Sequence, residues 1–443
     1  MTRVQVEVSR GVATPRAYRK PRPPRYALRP IRLPGDPVPD SRITRAFVAD
    51  LPKSDLHVHL DGSLRIPTLI ELARESRLEL PSYTEAGLRE TVYKERYTSL
   101  GDYLKGFRYT VGVMQTAEAL ERIAAELAED NQAEGVRYLE VRFAPQLHVR
   151  PGLDAIQVLA AVDRGLRRAR DAFNRRPEIA EGREPHFEYG IICCALRMFG
   201  AGSSCHYDTL LAAHPFTRPK DVYAMASLDA ARAAVLARDT LGLQVVGFDL
   251  AGEEAGYPAS AHKAAFELAH KHFLKRTVHA GEAYGPESIF QAITDLHTDR
   301  IGHGTYLLEA DQIRDPEIED RERYVEKLGN YVADRRITLE ICLTSNLQTN
   351  PEMTSLQQHT FRKLRAARIS TTLCTDNRLM SNTTVTNELM LAVEQLGFDR
   401  HDLKSIIIYG FKRSFWPGDY LSKRQYVRQV IDHYDAVERR HFA

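Results

Sequence analysis

The sequence contains no long apolar run and few cysteines. Nowhere in the chain does an uninterrupted apolar stretch approach the roughly 18 residues that a membrane-spanning helix needs. The amino terminus lacks the apolar core of a secretory signal, and the five cysteines show none of the paired spacing that marks a disulfide framework. These absences exclude a membrane protein and a small disulfide-stapled secreted domain, and they predict a reducing, cytoplasmic location.

The composition is that of an ordinary globular protein. Hydrophobic residues make up 43% and charged residues 27% of the 443 residues. Barrel-type α/β domains reach this length without dividing into smaller units. We therefore expect one large domain over residues 49–443.

Residues 1–48 are predicted to be a basic, proline-rich extension. Within residues 1–45, eleven arginines and lysines stand against three acidic residues, although the whole chain carries a net charge of only +2. Frequent proline favours extended, solvated chain and discourages a packed core. A basic arm can bind nucleic acid or a membrane surface, but such tails also lie solvated or across their own domain, and we expect neither partner. The oligomeric state is not indicated.

Short apolar or β-branched runs alternate with longer helical patterns from about residue 49 onward. This alternation is typical of βα units around a parallel sheet. The eight runs are residues 54–60, 136–145, 187–196, 245–252, 276–282, 300–304, 337–346 and 369–377. Eight such units predict an α/β fold, the (β/α)8 TIM barrel. Residues 198–220 are predicted to be an inserted loop after the third strand.

Polar side chains fall at the carboxyl ends of several predicted strands. Barrel interiors favour valine, isoleucine and leucine, so polar residues at this end of a barrel are typical of catalysis. The residues concerned are His57, His59, His279, Glu282, His303, Asp376 and Asn377. Their positions predict an active site, with a metal, at the carboxyl-terminal ends of the strands.

His57 and His59 lie two residues apart on the first predicted strand. Strand alternation directs both side chains to the same side, toward the interior. A single buried histidine is more often a hydrogen-bonded core residue, but two neighbouring imidazoles form half of a metal site. His279 and Asp376 would complete a nitrogen and oxygen set, which favours one Zn²⁺ or a similar divalent ion. Four cysteines in strand runs are interpreted as small buried hydrophobes rather than ligands: Cys193, Cys194, Cys342 and Cys374.

Seven short motifs resemble those of the adenosine deaminase family, bacterial-type members included, within the metal-dependent amidohydrolases. In chain order they are SDLHVHLDGSL, VRYLEVRFAP, GFDLAGEE, HAGE, RIGHG, LEICLTSN and TDN. They follow the family's order from residue 51 to about residue 395. The resemblance implies zinc-dependent hydrolytic deamination of adenosine and 2′-deoxyadenosine to the inosine products and ammonia. The implied partner is a small-molecule purine nucleoside.

The resemblance also implies a role for each strand-end residue. Zinc would be held by His57, His59, His279 and Asp376. Glu282 would donate a proton to purine N1, and His303 would orient and deprotonate the attacking water. The substrate would be bound by His59, Asp61, Gly252 and Asn377, with the Gly252 N–H on purine N3 and the Asp61 carboxylate on the ribose 5′ hydroxyl.

Asn377 departs from the family pattern, because the familiar animal members carry a second aspartate there that contacts purine N7. An amide can donate its N–H to N7 without being protonated, so we expect the purine contact to persist. The zinc deaminase signature of His-x-Glu followed by Pro-Cys-x-x-Cys is absent from the sequence. Deamination by this chain would therefore depend on the barrel motifs instead.

Four apolar residues near residue 100 recur at helical spacing: Leu100, Tyr103, Leu104 and Phe107. In the family a segment like this covers the pocket as a lid. Ordinary core packing explains the same pattern, and both interpretations stay open.

Two alternatives to the deamination of adenosine remain: a different substrate and a protein without catalysis. The same machinery could act on another adenine-containing compound, such as an aminofutalosine-type nucleoside, adenine or an N6-substituted purine. A non-catalytic purine-binding protein would require the loss of a ligand or of the acid, and every such position is filled. Adenosine monophosphate is disfavoured because the chain lacks the large size and HCGE-type strand of AMP deaminases.

Overall fold

The computed structural model describes residues 42–442 of the chain. The predicted extension over residues 1–48 therefore lies almost entirely outside the described residues. Its last residues belong to a helix, Arg45–Asp50, which begins where the Thr44 hydroxyl accepts the Phe47 N–H at 3.2 Å. Phe47 and Val48 are fully buried in this helix, so the packed chain begins earlier than the predicted boundary at residue 49.

Eight parallel strands form one sheet in the order of the chain. They are β1 (Lys53–His59), β2 (Val136–Phe143), β3 (Glu188–Leu196), β4 (Val245–Ala251), β5 (Lys275–Ala280), β6 (Arg300–His303), β7 (Thr338–Ile341) and β8 (Ser370–Leu373). The chain after β8 bridges back to β1, since the Asp376 N–H donates to the His57 carbonyl at 2.8 Å and the His59 N–H donates to the Asp376 carbonyl at 2.7 Å. The sheet curls into a nearly closed barrel, and the predicted (β/α)8 fold is confirmed.

Helices fill the connections between the strands and follow the last one. In the described residues the α-helices are α1 (Arg45–Asp50), α2 (Ile66–Ser76), α3 (Glu85–Thr91), α4 (Leu100–Leu104), α5 (Phe107–Val113), α6 (Ala117–Ala133), α7 (Ala155–Asn174), α8 (Pro177–Ala180), α9 (Cys205–Ala213), α10 (Pro219–Asp239), α11 (Lys263–Lys271), α12 (Pro286–Thr294), α13 (Arg321–Arg335), α14 (Leu343–Thr349), α15 (Phe361–Ala366), α16 (Val385–Leu396), α17 (Arg400–Arg413) and α18 (Tyr420–Phe442). Short 3₁₀ helices are Pro145–Leu147, Ala259–His262, Ala310–Gln312 and Leu356–Gln358. None of the helices within residues 42–442 is long and apolar enough to cross a bilayer.

Helix α6 illustrates how the sequence specifies the helical layer. It begins where the Thr116 hydroxyl accepts the N–H three residues further on, at 3.1 Å. Leu120, Ile123 and Leu127 are buried on one face, as their helical spacing predicts. The chain then turns at Gly135, whose φ of +88° favours glycine, and enters β2.

The last two strands are shorter than the predicted runs. The run over residues 337–346 leaves the strand at Ile341, and α14 begins at Leu343. Ser345 and Asn346 therefore lie in the first turns of a helix at the carboxyl end of the barrel. A regular helix holds these two side chains in place more firmly than a loop would.

The segment predicted as an inserted loop over residues 198–220 contains a short helix, α9 (Cys205–Ala213), and the first two residues of α10, and its status as an insertion stays a prediction. Helix α9 begins where the Ser204 hydroxyl accepts the Tyr207 N–H at 3.2 Å. The Tyr207 ring stacks on Phe199 with centroids 3.9 Å apart, and its hydroxyl donates to Gln146 at 3.2 Å. The run of glycine and serine before Ser204 obscured a helix that these contacts hold against the barrel.

Candidate active site

Side chains from four separate strand ends converge at the carboxyl end of the barrel. His57, His279, His303 and Asp376 each offer one ligand atom, and these atoms lie within 4.8 Å of one another. All four residues are buried. The histidines come from β1, β5 and β6, and the aspartate follows β8. Three of the four predicted metal ligands are therefore gathered in this group.

His59, the fourth predicted ligand, lies beside the group. Its Nε2 is 3.2 Å from Nε2 of His279 and 3.5 Å from Oδ1 of Asp376. His303, predicted to be a base rather than a ligand, is also within reach, with its ring centroid 4.9 Å from that of His57. The structure thus brings five candidate groups together. The hydrogen bonds of the histidine rings indicate which ring nitrogen is free to bind a metal.

Buried carboxylates orient two of the histidines. Nδ1 of His57 lies 2.9 Å from Oε2 of Glu340, and Nδ1 of His279 lies 3.1 Å from Oδ2 of Asp249. An ionised carboxylate only accepts, so each ring carries its proton on Nδ1 and presents a lone pair on Nε2. Nε2 of His57 is buried without a hydrogen-bond partner among the described residues. Such an orphaned, correctly oriented nitrogen fits a metal ligand.

Asp376 is oriented by a hydroxyl group on α14. The Ser345 hydroxyl donates to Oδ2 of Asp376 at 2.6 Å. The other oxygen, Oδ1, faces Nε2 of His57 at 3.4 Å and Nε2 of His59 at 3.5 Å. The donor set of three imidazoles and one carboxylate therefore points its free atoms at one place.

His303 and Asp376 also adopt a backbone conformation that is rare for residues with a side chain. The value of φ is +62° at His303 and +61° at Asp376. Such conformations cost roughly 1–3 kcal/mol each and occur mainly at functional sites. Both strained residues belong to the cluster that could hold a metal, which is a further sign of a functional site.

Charged side chains occupy the barrel interior beneath the histidines. Arg142 contacts Asp249 at 3.1 Å and Glu340 at 2.8 Å, and Arg300 contacts Glu340 at 2.6 Å. Burial alone would favour neutral carboxyl groups, but Arg142 and Arg300 hold the pKa of Glu340 well below its usual range. Burial also acts to raise the pKa of Asp249, but His279 and Arg142 outweigh it and lower that pKa. The histidines therefore donate to ionised carboxylates, which raises the basicity of their free nitrogens.

Glu282 lies just beyond β5 and next to His303, with its Oε2 3.6 Å from Nε2 of that ring. Glu254 shapes the turn that carries Glu282, because its carboxylate accepts the backbone N–H groups of residues 281–284 at 2.7 to 3.1 Å. Burial, followed by the nearby Asp376 carboxylate, raises the pKa of Glu282 to about 8. A pKa raised in this way favours the protonated form of the carboxyl group near neutral pH, which is the form that a general acid requires.

A small cavity of about 60 Å³, the inner cavity, lies against these groups. Its lining residues are His59, Leu100, Tyr103, Leu104, Phe107, Ala251, Gly252, His279, Glu282, His303, Asp376 and Asn377. A larger outer cavity of about 510 Å³ shares Leu100 and Glu282 with it. Ligand pockets usually measure about 300–1,000 Å³, so the inner cavity alone is too small for a nucleoside in this conformation.

The apolar segment near residue 100 forms two short helices rather than one. Helix α4 ends at Leu104, and α5 begins at Phe107. The Tyr103 hydroxyl lies 3.1 Å from the hydroxyl of Ser381, which joins this segment to the chain after β8. All four apolar residues predicted for a lid line the inner cavity. The segment therefore covers the cavity, and its movement as a lid stays a prediction.

Asp61 and Asn377 are both buried, but only Asn377 lines the inner cavity. Oδ1 of Asp61 has no hydrogen-bond partner among the described residues, and burial raises the pKa of this carboxyl group to about 7. Gly62 lies directly against Asn377, since a Cβ added at Gly62 would stand 1.8 Å from Oδ1 of the amide. Any larger residue at position 62 would displace the Asn377 side chain from the cavity wall.

Sequence reasoning missed the residues that orient the site. They are Asp249, Glu254, Glu340, Ser345 and Asn346, and all lie within the motifs GFDLAGEE and LEICLTSN. A usable signal existed for Asp249 and Glu340, because a charged residue inside an otherwise apolar strand run requires a buried partner. The other three lie on a loop or a helix, where no periodic pattern indicates which side chain faces the site.

A parallel (β/α)8 barrel with a buried histidine and aspartate cluster at its strand ends is the arrangement of a metal-binding hydrolase of the amidohydrolase type. The family model for adenosine deaminase matches residues 52–241 and 224–433. This chain belongs to the adenosine deaminase family. It is accordingly a hydrolase that acts on the C–N bond of a cyclic amidine.

Bacterial proteins and solved structures resemble the chain over most of its length. Adenosine deaminase 1 of Streptomyces coelicolor is 39% identical over 400 residues, covering 89% of this chain and 88% of that protein. The adenosine deaminase of Mycobacteroides abscessus is 38% identical over 374 residues, covering 84% and 92%. The N6-methyl-AMP deaminase of Arabidopsis thaliana matches with a TM-score of 0.65 at 26% identity, covering 88% and 98%. An amidohydrolase of Burkholderia ambifaria with bound zinc has a TM-score of 0.71 over 92% and 98%, and at 22% identity it shows the fold alone.

Proposed function

We propose that this protein is a zinc-dependent deaminase that converts adenosine and 2′-deoxyadenosine to inosine and 2′-deoxyinosine with release of ammonia. The observation that carries the proposal is the placement of Glu282, a carboxyl group whose pKa burial raises, around one cavity with the histidine and aspartate cluster. The two bacterial adenosine deaminases at 38% and 39% identity support adenosine as the substrate. The partner is then a small purine nucleoside.

One zinc ion per chain would be held by His57, His59, His279 and Asp376 at the carboxyl-terminal ends of the strands. Three imidazoles and one carboxylate suit zinc, and the orphaned Nε2 of His57 leaves a lone pair for it. When bound, Zn²⁺ supplies a Lewis acid that lowers the pKa of water toward ~7. Ser345, Glu340 and Asp249 keep the donor atoms aimed at this place without contacting the metal themselves.

Glu282 supplies the proton that makes the purine reactive. Its protonated carboxyl group lines the inner cavity and donates to N1, which withdraws electrons from C6. The oxygen of water forms a bond to C6, and the bond from C6 to the amino nitrogen breaks. Of the two hydrogens of water, one replaces the proton that Glu282 gave to N1 and the other leaves with ammonia, so the carboxyl group is restored.

Gly252 and Asn377 would hold the purine ring, and Asp61 the ribose. The Gly252 N–H would donate to N3 and the Asn377 amide to N7, and both residues line the inner cavity. His59 lines it as well and would contact the substrate beside the metal. Asp61 is buried and does not line the inner cavity, so its contact with the 5′ hydroxyl requires a change of conformation that exposes its carboxyl group. Outward movement of α4 and α5, whose residues line the inner cavity, would admit a nucleoside.

A larger adenine compound is the second candidate substrate, for example an N6-substituted purine or an aminofutalosine-type nucleoside. The outer cavity of about 510 Å³ supports it, because this space adjoins Glu282 and can accept a larger substituent than an amino group. The fold shared at 26% identity with an N6-methyl-AMP deaminase also supports it. The substrate panel described below also tests adenine as the substrate. The same panel tests the alternative of a purine-binding protein without catalysis.

The experiment is to incubate zinc-loaded protein with a panel of adenine nucleosides, nucleotides and bases and to follow ammonia release. We expect adenosine and 2′-deoxyadenosine to react. Adenosine failing while another compound reacts would favour the second candidate. Replacing Glu282 by glutamine should leave zinc bound and lower turnover by roughly 10² to 10⁴-fold. The control, Glu326→Gln, changes an exposed carboxylate on α13 and should be indistinguishable from wild type.

A further inference from the structure

A chain of buried hydrogen bonds leads from the backbone of α15 to His303. It starts at the Phe361 N–H, which donates to Nδ1 of His359 at 3.0 Å. A backbone amide can only donate, so Nδ1 of His359 is an acceptor and carries no proton. Since a neutral imidazole holds one proton, that proton is on Nε2. His359 is only 2% exposed, and water has little access to alter this arrangement.

The donor and acceptor ends of the next two hydrogen bonds are fixed by the first bond, in which the Phe361 amide donates. Nε2 of His359 lies 3.2 Å from Oδ1 of Asn346 and donates to it. The amide nitrogen of Asn346 therefore faces His303 and donates to Nδ1 of that ring at 3.1 Å. Nδ1 of His303 is thus an acceptor, and the proton of its neutral ring is on Nε2. That Nε2 faces Oε2 of Glu282 at 3.6 Å.

We infer that Asn346 and His359 are positioning residues that hold His303 in the tautomer with the proton on Nε2, aimed into the site. The inference rests on the proposed function and refines it. Nε2 in this form donates a hydrogen bond to the attacking oxygen and has no lone pair to receive a proton. His303 is then neither a base, as the family resemblance implies, nor a metal ligand, although it lies within the metal-binding group.

The opposite direction of the relay is excluded by its first bond. If His303 carried its proton on Nδ1, Asn346 would have to turn its oxygen toward that ring and its amide nitrogen toward His359. Nε2 of His359 would then have to accept, and Nδ1–H would face the Phe361 N–H. This arrangement would bring two N–H donors within 3.0 Å of each other in a buried place, with no acceptor for either of them. Asn346 also lies on α14, so the helix fixes its distance from His303.

The test uses histidine-labelled, zinc-loaded protein and nitrogen NMR, which separates the two tautomers of each ring. The His303 signal is assigned by its loss in a His303→Gln variant. Asn346→Asp replaces the donating amide by a carboxylate, which should draw the ring proton to Nδ1 and lower kcat by roughly 10 to 100-fold with little change in KM. The control Asn174→Asp makes the same change next to the Phe187 backbone at the other end of the barrel, and it should alter neither quantity.

A second pair of variants tests the relay one bond further out. His359→Gln keeps an N–H donor for Asn346 and should preserve the tautomer and most of kcat, whereas His359→Leu removes the donor and should lose both. These two variants decide the matter if Asn346→Asp does not fold. An Nδ1–H tautomer in the wild type, or a loss of kcat without a change of tautomer, would overturn the inference. A wild type with the Nε2–H tautomer that deaminates no adenine compound would overturn the proposed function and leave the relay standing.

Discussion

Replacement of Glu340 by glutamine should weaken both the fold and the binding of zinc. Glu340 is fully buried. Its Oε1 accepts from Arg300 at 2.6 Å and from Thr277 at 3.1 Å. Its Oε2 accepts from His57 at 2.9 Å and from Arg142 at 2.8 Å. Glutamine offers a single oxygen, so its NH₂ group must face two of these donors whichever way the amide turns.

The structure indicates the size of both effects. Removing one member of a buried ion pair leaves the other charge uncompensated and costs ~3–5 kcal/mol, so the free energy of unfolding should fall by that amount. If the NH₂ group faces His57, the ring proton moves to Nε2 and the lone pair for the metal is lost. Loss of such a partner typically weakens metal binding by roughly 10 to 100-fold.

Two assays check this prediction. Urea unfolding, followed by circular dichroism, measures the free energy of unfolding, and competition with a chromogenic chelator measures the zinc affinity. Glu326→Gln is the control, because it removes an exposed carboxylate on α13. A Glu340→Gln protein that matched this control in both assays would refute the reasoning that buried carboxylates set the tautomers of the metal ligands.

Three further predictions concern the cavity, the acid and the metal. Gly62→Ala would place Cβ 1.8 Å from Oδ1 of Asn377, so it should raise KM for adenosine while the zinc content stays the same. Steady-state kinetics and metal analysis check this prediction, and an unaltered KM would contradict it. Because the pKa of Glu282 is raised to about 8, the protonated form is lost as the pH rises through that value. The ratio kcat/KM should therefore fall there, and a profile that stays flat well above it would count against Glu282 as the acid. Dialysis against a chelator should abolish ammonia release and added zinc should restore it, whereas full turnover by metal-free protein would exclude a metal-dependent reaction.

The barrel was predictable because its strands are buried on both faces and read as apolar runs. All eight predicted runs overlap an observed strand, and the polar residues at their carboxyl ends, such as His57 and His279, lie together as expected. The helix α9 was not predictable from the glycine and serine run before it, since its stability comes from tertiary contacts of Tyr207. Segments of this kind carry too little local signal for their own structure.

The orientation of the histidine side chains in the site could not be predicted from the sequence either. Which nitrogen of His57 is free depends on Glu340, a residue 283 positions away in the chain. The relay to His303 depends on Asn346, which is 43 positions away. Residue types and spacing indicate that a histidine can bind a metal, but only the packed structure shows which of its two nitrogens is able to do so.

The carboxylate of Glu254 has a consequence for how substrate preference can change. It anchors the Glu282 turn through four amides, and it stands two residues after Gly252, on the same loop. Under the proposed function, in which this loop contacts the purine and Glu282 donates the proton, mutations that reshape the loop to accept a different heterocycle would also move Glu282. Laboratory evolution toward new bases would then have to adjust the Gly252 loop and the Glu282 turn together.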